Sequence, residues 1–323
     1  MEVMLAKKSA DAIANGSKSF ALASLLFRPN MRRHAHMLYA WCRHCDDVID
    51  GQNLGFGETV AAGRDGVPEA DDLRSLWEQT EAAYRGDLPT TWQFEALQVV
   101  AMETGMPAQH AFDLLRGFEM DVHQHSYDCL EDTLRYSYHV AGVVGVMMAI
   151  VMGVDPQDDE TLDRASDLGI AFQLTNIARD VIDDAAIGRV YMPGDWLREE
   201  GVSPHPRHVL DERNREAVWR AASRLLQEAD KYYASSGPGV RRLPLRAGFA
   251  VAAARRVYRD IGRVVRVRGS RAWDHRARTS RRRKLALAGL GCLQGVTSKS
   301  LSFMDLPPRD DLWKRPATEG LPS

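Results

Sequence analysis

The chain is short of cysteine, of strand-forming patterns and of long apolar runs, and each shortage excludes something. Its 323 residues hold four cysteines, Cys42, Cys45, Cys129 and Cys292, too few and too scattered for a disulfide scaffold. Trp41-Cys-Arg-His-Cys45 imitates a thioredoxin-type redox motif, but that motif needs a strand before it and a helix starting at its first cysteine. Here helical periodicity runs from near Met31 through Asp50, so the redox reading is set aside, and a zinc site lacks a second cysteine pair. The longest uncharged apolar run, Val140 to Val154, is about fifteen residues, short of the roughly 20 that cross a bilayer. It reads as a core helix in which Gly142, Gly145 and Gly153 let another backbone, or a lipid chain, come close. Met1 to Ala14 has Lys7 and Lys8 but no apolar segment behind them, so no signal peptide is expected. Gly55-Phe-Gly57 lacks the third glycine and the preceding strand of a dinucleotide fingerprint, so no nicotinamide cofactor is expected.

What is abundant is helical periodicity. Helices are expected at about 4–14, 31–50, across 70–124 with breaks near Gly86 to Thr90 and Gly105 to Pro107, then at 134–154, 163–184, 211–234 and 246–268. Asn15-Gly16 stops the first and Gly51 the second. Residues 51–69 are glycine-rich and polar, and 201–206 form a proline-containing loop. With no repeat and no clear linker, the expectation is an all-α single domain over about residues 1–300. Beyond Ser300 the chain turns polar, with Pro307, Pro308, Pro316 and Pro322, and 301–323 is expected to be a disordered tail. Glu119, Asp121, His123 and His125 are spaced by two, which spreads them round a helix, so they read as solvated rather than as a metal site.

Net charge is −2, but between Arg241 and Lys284 fifteen Arg and one Lys face only Asp260 and Asp274. That asymmetry calls for an anionic partner. Nucleic acid is disfavoured because no binding motif or interleaved aromatics accompany the arginines. An anionic membrane surface fits better, and arginines on solvated helix faces or near a bound anion are the plain alternative.

The stretch Gln173-Leu-Thr-Asn176-Ile-Ala-Arg179-Asp180-Val-Ile-Asp183-Asp184 carries the chemistry. Residues four apart share a helix face, so Asn176, Asp180 and Asp184 form one polar stripe with Gln173 and Arg179 beside it. Two carboxylates about 6 Å apart repel by roughly 3 kcal/mol at an effective dielectric near 20, and a divalent cation would offset that. A second stripe, Asp46 and Asp50, has Arg43 and Tyr39 one and two turns before it. Two such stripes point to facing helices. Carboxylate oxygens suit Mg²⁺, which uses one or two of them per ion and leaves room for water and phosphate. The inferred substrate is a diphosphate.

With Ser17-Lys-Ser19-Phe20 near the start and Tyr136-x-x-x-Val140-Ala-Gly142 between the stripes, the chain resembles the squalene and phytoene synthase family over about residues 10 to 290, and within it the bacterial phytoene synthases. The resemblance implies an isoprenoid synthase-type helical bundle around a central cavity. It implies metal held by Asp46, Asp50, Asn176, Asp180 and Asp184, as Mg²⁺ or Mn²⁺. It implies diphosphate bound by Gly16, Ser17, Lys18, Ser19, Arg43, Gln173, Arg179 and Arg189, though Ser17 serves equally as a helix cap and Arg189 as an ion-pair partner of the acids. Phe20, Tyr39, Tyr136 and Tyr258 would wall the cation, and each is also a plain core aromatic. The reaction implied joins two geranylgeranyl diphosphates head to head through a cyclopropyl prephytoene diphosphate. Ring opening and proton loss then give phytoene, the first committed step of carotenoid biosynthesis. A bacterial cytoplasmic location, peripheral membrane attachment and hand-off to a phytoene desaturase go with it.

Three alternatives stay open. A squalene or dehydrosqualene synthase would use two farnesyl diphosphates. Terpene cyclases share the metal logic, but the Ser17 to Phe20 segment fits them less well. A helical scaffold binding nucleic acid through its arginines would show salt-dependent binding and no turnover.

Overall fold

The computed structural model describes residues 2–50, 70–275 and 309–316. Among them every regular element is helical, as the periodicity predicts. The expected loop at 51–69, Cys292 and the arginines between 276 and 283 lie outside the described residues. The described residues fall into two compact units. One comprises 2–50, 70–123, 146–162 and Pro316; the other comprises 124–145, 163–275 and 309–315.

In the first unit α1 (Glu2–Gly16), α2 (Lys18–Ser24), α3 (Pro29–Asp50), α4 (Ala70–Arg85), α5 (Trp92–Thr104) and α6 (Ala108–Val122) follow one another. α1 and α5 pack on α3, and α4 packs on α5 and α6. The reason lies in one face of α3, where Leu38, Trp41, Cys45 and Ile49 are all at most 4% exposed; burying each such aliphatic stabilises the fold by roughly 1.5–3 kcal/mol. The breaks fall where glycine and proline put them, and α5 ends at Gly105 in the left-handed region, φ 67°. Cys42 and Cys45 sit inside α3. Burial, aided by Asp46, pushes the Cys42 thiol up to about 12, and Cys45 is raised well above its ordinary value, so neither is a redox thiolate.

Further along come α7 (Leu130–Ser137), a π-helical turn (Tyr138–Gly142), α8 (Val143–Val151) and α9 (Asp159–Ala186). α7 starts earlier than its apolar pattern because Asp132 reaches back to the Cys129 N–H at 3.2 Å, a capping box. The continuous stretch Leu130–Val151, 22 residues, has the length and composition of a membrane span, but 67% of its most apolar window is buried within the protein, as suits a core helix. A Cβ on Gly145 would lie 2.4 Å from the Ala165 carbonyl oxygen, and one on Gly169 2.1 Å from that of Ala141. The glycines therefore let two helices meet backbone to backbone. Gly153 corrects the expectation made for it: its φ is 94° and nothing lies within 4 Å of its would-be Cβ. It serves a left-handed turn after α8.

Two short helices, α10 (Gly194–Glu199) and α11 (Pro206–Leu210), precede α12 (Arg215–Arg242) and α13 (Leu245–Arg268), which pack on each other. α12 outruns the expected 211–234 by passing through Pro238. The proline removes one backbone donor, and nearby the Tyr233 carbonyl accepts from Arg255 Nε at 3.0 Å and Ser236 Oγ at 2.9 Å. Much of the positive excess is spent the same way. Arg259 and Arg266 pair with Asp230, and Arg263 with Asp260. The expectation of a disordered tail is corrected for residues 309–315, which dock on the second unit through Arg309, Trp313 and Arg315; composition hides such docking because it depends on acids 142 to 182 residues away.

Gly169→Ala is expected to destabilise the protein by about 2 kcal/mol, since overpacking against backbone exceeds the roughly 1 kcal/mol that alanine gains in helix propensity. A lower urea midpoint at unchanged slope would show it.

Candidate active site

One acidic stripe lies in each unit. On α3, Arg43 forks between two acids, Nη1 to Asp46 Oδ2 at 2.8 Å and Nη2 to Asp47 Oδ1 at 2.7 Å. Asp47 was not among the expected site residues, although its position four after Arg43 is the signal that finds it. One turn earlier is Tyr39, whose pKa is raised by burial, against the pull of Arg43. Its ring meets Phe20 edge-on at 5.8 Å. A Cβ on Gly16 would lie 2.3 Å from the Tyr39 hydroxyl, so the glycine is what admits this contact. Ser17 caps α2 by accepting from the Phe20 N–H at 3.4 Å. Lys18, Ser19 and Asp50 fall on α2 and α3, but their side chains lie outside the described residues.

On α9 the helix sorts its residues as the spacing predicts. Leu174, Ile177, Ala178 and Val181 are buried, while Gln173, Asn176, Arg179, Asp180 and Asp184 are half-buried. Gln173 Oε1 accepts from Asn176 Nδ2 at 3.3 Å, which turns the Asn176 carbonyl oxygen away; that oxygen is buried without a hydrogen-bond partner. Arg179 holds Asp180 with both arms of its guanidinium, Nε to Oδ1 at 2.8 Å and Nη2 to Oδ2. Asp184 is pushed up to about 7, first by burial and then by Asp180, with Arg189 working in the opposite direction. Arg189 is also tied in by its backbone N–H to the Asp184 carbonyl, 2.9 Å.

The aromatic candidates fall into two groups. Tyr136 is buried and stacked on Tyr191 at 4.6 Å, 13°, with Tyr127 edge-on to it at 5.3 Å. Thr133 fixes Tyr191 by donating to its carbonyl at 2.9 Å. Tyr258 of α13 stacks on Phe172 of α9 at 4.2 Å, 21°. Sequence reasoning missed Phe172 and Tyr127. Phe172 lies one helical turn before Asn176 and was findable; Tyr127 sits in a loop, with no periodicity to place it.

These oxygens fit a hard divalent cation. A positive ion would engage the orphan Asn176 carbonyl and favour ionised Asp184, and all the donors are the oxygen type Mg²⁺ takes. Among the described residues no three His, Cys, Asp or Glu side chains cluster tightly enough to enclose a metal, an arrangement compatible with an ion that keeps water and phosphate as its other ligands.

The family model described as squalene/phytoene synthase matches residues 13–283. The chain belongs to the squalene/phytoene synthase family. Members of this family are divalent-metal-dependent prenyltransferases that act on prenyl diphosphates. The chain is 49% identical to a phytoene synthase of Pseudescherichia vulneris, covering 94% of this chain and 96% of that one. It is also 49% identical to a 15-cis-phytoene synthase of Pantoea ananas, covering 97% and 98%. Among solved structures it superposes on a dehydrosqualene synthase bound to a ligand with a TM-score of 0.79 at 26% identity, covering 92% of this chain and 98% of that one. A squalene synthase from Alicyclobacillus acidocaldarius shares the fold at a TM-score of 0.70.

In protein stripped of divalent ions, folded Asp184 keeps a proton that the unfolded chain has already lost. Stability is therefore expected to fall as pH rises from about 4 to about 7. Urea unfolding in chelator across that range would measure the slope, and Asp184→Asn is expected to flatten it.

Proposed function

We propose that this protein is a phytoene synthase, joining two geranylgeranyl diphosphates to phytoene with release of diphosphate. The observation that carries the reading is 49% identity to bacterial phytoene synthases over nearly the whole of both chains. The farnesyl alternative draws on a dehydrosqualene synthase only 26% identical and is the less supported.

Bound Mg²⁺ would neutralise the charge of the departing diphosphate as a Lewis acid. Asp46 and Asp50 on α3, and Asn176, Asp180 and Asp184 on α9, would hold it. The arginines act by exchange. Arg43 and Arg179 each keep a stripe acid paired, and both guanidinium forks match phosphate oxygens equally well. With cation and diphosphate bound, the acids would serve the cation and the released guanidinium groups the phosphate oxygens. Gln173 orients Asn176, and Arg189 favours the ionised form of Asp184. The allylic cation left by ionisation is stabilised by aromatic faces, worth roughly 0.5–2 kcal/mol each, for which Phe20, Tyr39, Tyr136 and Tyr258, the last backed by Phe172, are the candidates. Attack by the second chain's double bond, with loss of one proton as the three-membered ring closes, gives the cyclopropyl diphosphate; its ionisation, ring opening and loss of a second proton give the hydrocarbon.

A C40 hydrocarbon has no place in water, and the arginine excess between Arg241 and Lys284 complements anionic lipid headgroups. Peripheral attachment to the cytoplasmic face of a bacterial membrane, with delivery to a desaturase, completes the proposal.

Purified protein given Mg²⁺ and each prenyl diphosphate in turn is expected to yield a C40 product, and a C30 product alone would overturn the choice of substrate. Asp180→Asn is expected to lower diphosphate release roughly 100-fold or more while the protein stays folded.

A further inference from the structure

The segment 309–315 does more than lie against the second unit. It grips α9 at the end remote from the metal stripe. Arg309 donates from Nε to Asp167 Oδ2 at 2.8 Å, from Nη2 to Asp167 Oδ1 at 2.5 Å, and from Nη1 to Asp163 Oδ2 at 2.6 Å. Arg315 Nε adds Asp163 Oδ1 at 2.7 Å. Asp163 and Asp167 are successive turns on one face of α9. Asp167 is fully buried, and its other neighbour is Ser235 of α12, which donates to it while accepting from Arg164 at 2.6 Å. Between the two acids, Ala165 meets Gly145, and just beyond them Gly169 meets Ala141.

Trp313 extends the grip to the other side of that glycine contact. Its indole N–H donates to Glu131 at 2.6 Å, its ring packs on Tyr138 at 5.0 Å, and its backbone N–H donates to the Tyr232 hydroxyl at 3.2 Å. Tyr138 opens the π-helical turn that ends at Gly142. One short segment thus ties together both helices that meet at the glycines, with α12 as a third point.

Backbone contact at Gly145 and Gly169 blocks tilting but does little against sliding along the axis. Ion pairs fixed to two turns of α9 and a ring fixed to the partner helix do oppose sliding. A shift of α9 along its axis would carry Asn176, Asp180 and Asp184 with it, because a helix transmits axial displacement over two or three turns. We propose that residues 309–315 are a clasp that sets the axial position of α9, making Arg309 and Trp313 positioning residues for the metal and diphosphate site. The kinetic part of this proposal rests on the function proposed above; the structural part does not.

The test compares the full chain with Arg309→Ala, Trp313→Ala and a chain ending at Pro308. Amide hydrogen exchange is followed along α9 in the absence of metal, together with the Mg²⁺ concentration for half-maximal turnover and the thermal midpoint. Faster exchange between Leu174 and Asp184 is expected, along with a roughly 3- to 30-fold rise in half-saturating Mg²⁺. Arg309→Lys, which keeps the charge but loses the fork, should fall in between. Faster exchange confined to residues 159–170, with unchanged Mg²⁺ dependence and KM, would reduce the clasp to a stability element and overturn the proposal. If the shortened chain does not fold, Arg309→Lys and Trp313→Phe decide by the same measurements. If the parent chain turns over no prenyl diphosphate, the functional reading fails while the exchange data still judge the clasp.

Discussion

A carboxylate withdrawn from water must find positive charge or keep its proton, and the second unit is arranged around three answers to that demand. Asp180 is matched by Arg179 on its own helix, and Asp167 by Arg309 from far along the chain. Asp184 is answered least, and it keeps its proton to about pH 7. Arg189 offsets the burial of Asp184 only in part, and two turns earlier on the same stripe the Asn176 carbonyl oxygen has no hydrogen-bond partner, so this stretch of α9 is where the protein leaves work for a cation. On α3 the same economy appears in smaller form, with one guanidinium divided between Asp46 and Asp47.

Much of this was legible in the sequence because it depends on spacing within single helices. The stripe Asn176, Asp180 and Asp184, its buried backing of Leu174, Ile177 and Val181, and the pairing of Arg43 with the acids after it all follow from the helical repeat. The breaks at Gly105 and the role of Ser17 as a cap follow from local backbone chemistry. What escaped is what depends on distance. Nothing near Trp313 announces Glu131 or Tyr138 as its neighbours, and a proline-rich, polar stretch reads as disorder when its partners lie more than 140 residues upstream. Gly153 and Gly145 look alike in the sequence, yet one makes a turn and the other a helix contact; only the packing tells them apart. The helix expected to end at 234 runs on through Pro238, near which the Tyr233 carbonyl accepts from Arg255 and Ser236.

The arginines show why composition overstates the charge left for a partner. A region with an excess of positive charge reads as a surface seeking anions. Yet Arg255, Arg259, Arg263 and Arg266 are already engaged with Tyr233, Asp230 and Asp260. Exposed pairs of this kind contribute little individually, about 0–1 kcal/mol each. Arg255, Arg259 and Arg266 tie α13 to α12, whereas the Arg263–Asp260 pair lies within α13.

The clasp also has a bearing on how the protein is made. Ribosomes deliver a chain from its N-terminus, and domains begin to fold as they emerge. Asp163 and Asp167 are translated 142 or more residues before Arg309. While residues 168 to 308 are being added the nascent polypeptide thus carries Asp167 without its eventual counter-charge, and the clasp can close on α9 only once residues 309–315 have emerged.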